Sequence, residues 1–236
     1  MLNLYRSNKT NVESAYIITV KDNHNSEQYS ARCQQSCVDV NMPYKVWPAY
    51  DGTNKERGIV PPPHLVNDSF MNMLKITDHY MTRGEVACAL SHISLWVHCA
   101  NIDQPIVILE HDALMLKKFE AINNYNTIVY LGGSEWHNQG WQIYPIPPHA
   151  SEGPNYHFIC RAHAYAIDPI VAKNMLAYVL QNGMFAPLDI MMRADIFNIS
   201  HQGPYATDIM SDKLDTTIAA RPLEGRTTKR NDKLEW

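Results

Sequence analysis

No apolar run in this 236-residue chain approaches the roughly 20 consecutive residues that a membrane-spanning helix needs. The two longest apolar clusters, residues 106–109 and 113–116, are separated by charge. The first twenty residues, MLNLYRSNKTNVESAYIITV, contain no apolar h-region, so no secretory signal and a cytoplasmic location are expected. A membrane-bound acceptor would then be met at the membrane surface. The five cysteines (Cys33, Cys37, Cys88, Cys99 and Cys160) are odd in number and widely spaced, which argues against a disulfide framework. Cys33 and Cys37 lack a second pair at zinc spacing and read as buried thiols. A strong net charge is also missing: the formal value is −4, with a pI near 6.2, and gives no general attraction to nucleic acid or anionic membrane. The chain lacks GxSxG, GxxxxGK[ST], HExxH and GxGxxG, so the usual serine-hydrolase, P-loop, zincin and dinucleotide-binding signatures are all absent. The 11 histidines are scattered, and no pair has metal-hydrolase spacing.

What is present suits an ordinary globular core: 45% of residues are hydrophobic and 19% charged. AYIITV at 15–20 is a β-branched run that predicts a buried strand. Ser26 is placed to cap a helix from about Glu27 through YSARCQQSCVDV, and YKVWPA at 44–49 predicts a second strand ending in the turn Tyr50-Asp51-Gly52. Strand, helix, strand is a βαβ opening and points to an α/β sheet. Residues 53–82 are irregular, and the prolines at 61–63 exclude a helix there, while 71–75 allow a short one. Further strands are expected at 106–109, 127–131 and 162–167, with strand and loop at 199–211. Asp168-Pro169 predicts the start of a helix that closes at Asn182-Gly183, and IMMRADIF after Asp189 also reads as helical. The domain is expected to span 1–220, with a polar tail at 221–236.

The chain is organised around residues 84–112, GEVACALSHISLWVHCANIDQPIVILEHD. Val86, Ala89, Leu90, Ile93 and Val97 recur at helical spacing and form a core face. Glu85, Cys88 and His92 make a second stripe at i, i+3 and i+7. A capping glutamate and a satisfied interface histidine compete there with a functional site. The strand PIVIL then switches abruptly to Glu110-His111-Asp112. Carboxylates one residue apart at a strand end can turn toward one hard cation, such as Mn²⁺ or Mg²⁺, and leave room for phosphates. Such a cleft at the carboxyl ends of strands suits a nucleotide-sugar donor.

Three other features compete with plain structural readings. The 134–157 segment holds Trp136, Trp141 and Tyr144, either an aromatic platform for a sugar or base or a hydrophobic plug. Asp189 stands near a helix start, where a simple cap is a fair competitor to any functional role. Arg221, Arg226, Lys229, Arg230 and Lys233 are a solvated tail or a phosphate-tracking patch.

GEVACALSHISLWVHCA followed by PIVILEHDA resembles glycosyltransferase family 25, the lipooligosaccharide and collagen galactosyltransferases, whose pattern is roughly G-E-x-G-C-x-x-S-H-x-x-x-W and then I-x-E-D-D. Gly84, Glu85, Cys88, Ser91, His92 and Trp96 match, and Ala87 replaces a glycine. AYIITVKDN, WPAYDG, AHAYAIDPIVAKNML and PLD at 187–189 resemble further segments in the same order, and ATDIMSD does so loosely. The resemblance implies a single GT-A-like, Rossmann-type α/β domain with a mostly parallel central sheet flanked by helices. It also implies a UDP-sugar donor, Mn²⁺ or Mg²⁺, and inversion at the anomeric carbon. By position, Asp51, Gly52, Glu85, Ser91, His92, Glu110 and His111 would contact the donor. Asp112 would ligate the metal with Glu110, and His201 would be a further ligand. Asp189 would be the general base. The acceptor is expected to be a glycan such as lipopolysaccharide, with a protein hydroxyl or a hydroxylated DNA base as alternatives. His111 stands where the family has Asp, which removes one negative charge. A protein that binds nucleotide-sugar without turnover is the reading from another class.

Overall fold

In a computed structural model of the chain, the described residues are 11–53, 56, 58–66, 68–77, 81–122, 126–133, 162–194 and 196–208. Seven strands form one sheet in the order β2-β1-β3-β6-β5-β7-β4. These are β1 (Ala15–Thr19), β2 (Tyr44–Pro48), β3 (Ile106–Glu110), β4 (Ala113–Met115), β5 (Ile128–Gly133), β6 (Ala164–Ile167) and β7 (Ile199–Asp208). β1 runs parallel to β2 and β3, and β5 is parallel to β7. β6 is antiparallel to β3 and β5, and β4 is antiparallel to β7. Five strands therefore point one way, and only β4 and β6 oppose them, so the expected mostly parallel α/β sheet is present in mixed form.

The sheet is buried on both faces, which is why β1, β3 and β5 read as continuous apolar runs rather than alternating ones. Ile106 and Ile108 of β3 face one core with Tyr16, Ile18, Ile128 and Tyr130. Val107 and Leu109 face the other with Ala15, Ile17, Val129 and Leu131. Helix α1 (His24–Asp39) covers the second face with buried Cys33 and Cys37, as thiols. Helices α2 (Arg83–Ile102) and α3 (Pro169–Asn182) cover the first. α2 is buried almost all round, since the sheet lies on one side and α3 on another.

Several boundaries differ from the sequence expectations. The cap of α1 is Asn23, whose side chain accepts from Ser26 N–H. Ser26 lies inside the helix, buried, with its hydroxyl committed elsewhere. The proline run carries a 3₁₀ turn at Pro63–Leu65, because proline suits a first helical position even where an α-helix is excluded. IMMRADIF is not a helix: α4 is only Leu188–Met191, and Met192 leaves helical geometry with ψ at 75°. β4 was hidden in the apolar cluster that follows Asp112. The 134–157 loop with Trp136, Trp141 and Tyr144, the 221–236 tail and Cys160 lie outside the described residues.

The start of α3 is held as its sequence implies. The buried Asp168 carboxylate accepts from Ile170 and Val171 N–H at 2.7 and 2.9 Å and also from Asn126 N–H at 2.7 Å. One side chain thus caps the helix and pins the turn before β5. Gly183 closes α3 at φ +75°, a conformation that disfavours any side chain. Asp168→Ala is expected to lower the unfolding free energy by about 2 kcal/mol in urea titration, with Asp168→Asn intermediate. An unchanged midpoint for Asp168→Ala would contradict this role.

Candidate active site

The active-site candidate begins with how α2 starts. Thr82 and Glu85 form a reciprocal capping box: Thr82 Oγ1 accepts from Glu85 N–H, and the Glu85 carboxylate accepts from Thr82 N–H at 2.8 Å. Buried Glu85 is therefore a structural cap and is not among the residues that line the cleft described next.

The loop after β2 packs directly on this helix start. Ser91 Oγ donates to Ala87 C=O and accepts from Tyr50 N–H at 2.9 Å, and Trp47 Nε1 donates to Ser94 Oγ. Asp51 shapes the same loop, accepting from Thr53 N–H and Thr53 Oγ1. A Cβ on Gly52 would stand 2.5 Å from Arg83 O and 2.9 Å from Ala87 Cβ, so only glycine allows this approach.

Between this loop, α2 and the end of β3 lies an open cleft. Its lining includes Gly52, Ser91, His92, Glu110 and His111, five of the residues expected to contact the donor, with Tyr50, Thr53, Gly84 and Cys88. Asp51 stands one residue from that lining.

A line of buried hydrogen bonds runs from the core to the cleft. Trp96 Nε1 donates to the Tyr165 hydroxyl at 2.9 Å. That hydroxyl meets His92 Nδ1 at 2.8 Å, with the two rings stacked. His92 Nε2 meets Glu110 Oε1 at 3.2 Å, and Cys88 Sγ donates to the same oxygen at 3.8 Å. Cys88, His92 and Trp96 succeed one another at i, i+4 and i+8, so one helical stripe presents all three. Burial pushes the Glu110 carboxyl up, but the His92 hydrogen bond and the imidazoles of His92, His111 and His163 more than offset it, leaving the group below the usual carboxylate range. Burial, reinforced by the charges of Glu110, Asp189 and Asp112, holds the Cys88 thiol well above its ordinary value. Cys88 is thus no activated nucleophile. The charges of Asp189 of α4 and of Asp112 both act on Cys88, but neither residue is among those that line the cleft.

His111 faces α1. Ser26 Oγ accepts from Val20 N–H, so its own proton is available to His111 Nδ1 at 3.3 Å, and the Tyr29 ring stacks alongside. Burial pulls the His111 imidazole below its usual value, against the opposing pull of Glu110.

Among the described residues, Cys88, His92 and Glu110 are the one group of three or more metal-ligating side chains gathered at ligand spacing, with donor atoms within 4.8 Å of one another. Mn²⁺ and Mg²⁺ want oxygen cages, and only Glu110 supplies oxygen here, so this group does not fit them. Asp112, expected to bind the metal directly, is not in the group, although one of its carboxylate oxygens is buried. His201 is placed by backbone alone, opposite Tyr130 in the β5–β7 register. Two participants were given no chemical role from the sequence. Cys88 was assigned no role, although its place one turn before His92 was a usable signal. Tyr165 comes from β6, inside the AHAYAIDPIVAKNML segment that resembles the family's, but it was given no role there.

The model of glycosyltransferase family 25 (LPS biosynthesis protein) matches residues 13–143, more than half of the chain. The match spans the βαβ opening, α2 and the end of β3, and it stops before Asp189 and His201. No curated protein matches the chain.

The imidazoles of His111 and His98 are both pulled down, chiefly by burial, so the unfolded chain takes up protons on them first. Their contribution to stability is complete above about pH 6.5 and declines as pH falls from there toward the lower folded values. His111→Asn is expected to flatten the loss of thermal stability between about pH 6.5 and 5. An unaltered slope would remove His111 from the account.

Proposed function

The chain belongs to glycosyltransferase family 25, and from that premise we propose that it moves a hexose from a UDP-sugar to an acceptor hydroxyl with inversion. The observation that carries this reading is the convergence of Gly52, Ser91, His92, Glu110 and His111 on one cleft. Each comes from the matched segment.

In this reading the nucleotide lies over Tyr50–Thr53, against the bare backbone that Gly52 allows. Gly84, at the start of α2, lines the cleft, so the diphosphate meets the positive end of a 20-residue helix. His111 offers a ring N–H to phosphate or sugar. Asp189 takes the acceptor's proton as the acceptor oxygen bonds to the anomeric carbon and the carbon–oxygen bond to UDP breaks. Negative charge leaves with UDP.

A second, mainly apolar hollow adjoins the cleft through Tyr50 and is lined by Ile59, Leu65, Met71, Leu74, Leu90 and Met184. Such a surface suits the apolar portion of a lipid-linked glycan and supports a lipopolysaccharide-type acceptor, in keeping with the family's description. Among the described residues no helix is long and apolar enough to cross a membrane; in this reading the acceptor is met at a membrane surface. The basic residues that would favour a DNA acceptor, Arg221 to Lys233, lie outside the described residues.

A screen of nucleotide-sugars by nucleotide release, with and without divalent ions, tests the reading. Slow hydrolysis of a UDP-hexose is expected, faster with the acceptor. Asp189→Asn is expected to lower kcat by about 10²- to 10⁴-fold with little change in KM. Release from no donor would refute the transferase, while donor binding without turnover would leave a sugar-nucleotide binding protein.

A further inference from the structure

We infer that Cys88, His92 and Glu110 form a site for a thiophilic divalent cation, zinc being the type, with one coordination position open to the cleft. The three side chains come from rigid elements: the first two lie one turn apart on α2, and Glu110 ends the neighbouring β3. The separations are 3.2 Å between His92 Nε2 and Glu110 Oε1, and 3.8 Å between Cys88 Sγ and the same oxygen. Tetrahedral zinc with ordinary bond lengths would set those edges at about 3.4 and 3.6 Å. Those two edges are within a few tenths of an ångström of that geometry, and all three donor atoms lie within 4.8 Å of one another, so an ion can enter by displacing the direct His92–Glu110 contact.

The surroundings supply what an imidazole ligand needs. Tyr165 holds His92 Nδ1, which directs Nε2 at the ion position, and Trp96 in turn holds Tyr165. In the loaded state Nδ1 carries the proton and donates to the Tyr165 oxygen, and the Cys88 proton passes to solvent as the thiolate binds. All three ligands line the cleft, so the ion has a path in and a fourth position for water or a ligand oxygen. Sulfur and imidazole donors select zinc-like ions over Mg²⁺. The site stands without the transferase reading. Only the idea that its open position meets a donor phosphate rests on that reading.

Cobalt(II) is the probe, because its colour reports sulfur ligation and tetrahedral geometry without any turnover. The metal-stripped full chain is titrated with Co²⁺ and should show a saturable sulfur-to-cobalt charge-transfer band with strong visible bands. Zn²⁺ should abolish the spectrum, and excess Mg²⁺ should leave it. Cys88→Ser should lose the charge-transfer band while melting cooperatively, and the isosteric Glu110→Gln should weaken apparent Co²⁺ affinity about tenfold or more. Absence of a sulfur band in the wild-type protein, or its persistence in Cys88→Ser, would overturn the proposal. A failed donor screen with these spectra intact would refute the transferase and leave the ion site standing.

Discussion

The buried line from Trp96 through Tyr165 and His92 to Glu110 is the constraint on which the site depends. It ties together α2, β6 and β3, three elements distant in sequence, and ends with a partly buried carboxylate at the mouth of a cleft. His92 and Tyr165 are fully buried, whereas the Glu110 side chain keeps 27% of its surface exposed. A buried polar chain is stable only when each member finds a partner, because every orphaned group carries its full desolvation penalty. Here each neighbour satisfies the next, so the position of Glu110 is set by the core and not by the solvent-facing turn that follows it.

A second set of polar contacts fixes the opposite wall. Ser91 and Ser94 accept from Tyr50 N–H and Trp47 Nε1 and thereby hold the loop after β2 against α2. Gly52 makes that contact close enough to expose backbone to the cleft. α2 therefore has three distinct sides. One packs in the core, one binds the Tyr50–Thr53 loop, and one carries Cys88, His92 and Trp96 toward β3 and β6. That division explains why its sequence is apolar nearly all round yet carries Cys88, Ser91, His92 and Ser94 in its middle.

Local chemistry made much of this legible in the sequence. Asp168-Pro169 and Gly183 bracket α3 because caps act within a few residues. The run ending at Glu110 marks β3 because a strand buried on both faces must be apolar until it reaches the cleft. Helical periodicity put Glu85, Cys88 and His92 on one stripe, but it could not divide their roles. Glu85 turns back to cap its own helix, while the other two join Trp96. Asn23 captured the cap expected of Ser26, because the buried Ser26 hydroxyl is needed by Val20 and His111. Tyr165 was legible only as part of a segment resembling the family's, since its role comes from pairing opposite Ile108 in β3. IMMRADIF looked helical by composition, but the chain turns at Met192 to reach β7.

The central claim is that a sugar nucleotide lies between the Tyr50–Thr53 loop and the end of β3. Amide hydrogen exchange measured with and without saturating UDP tests it most directly. The account predicts slower exchange at residues 50–53 and 111–112, which the nucleotide would cover, with β7 and the far end of α3 unchanged. Protection confined to other parts of the chain, or none at all with UDP bound, would contradict it.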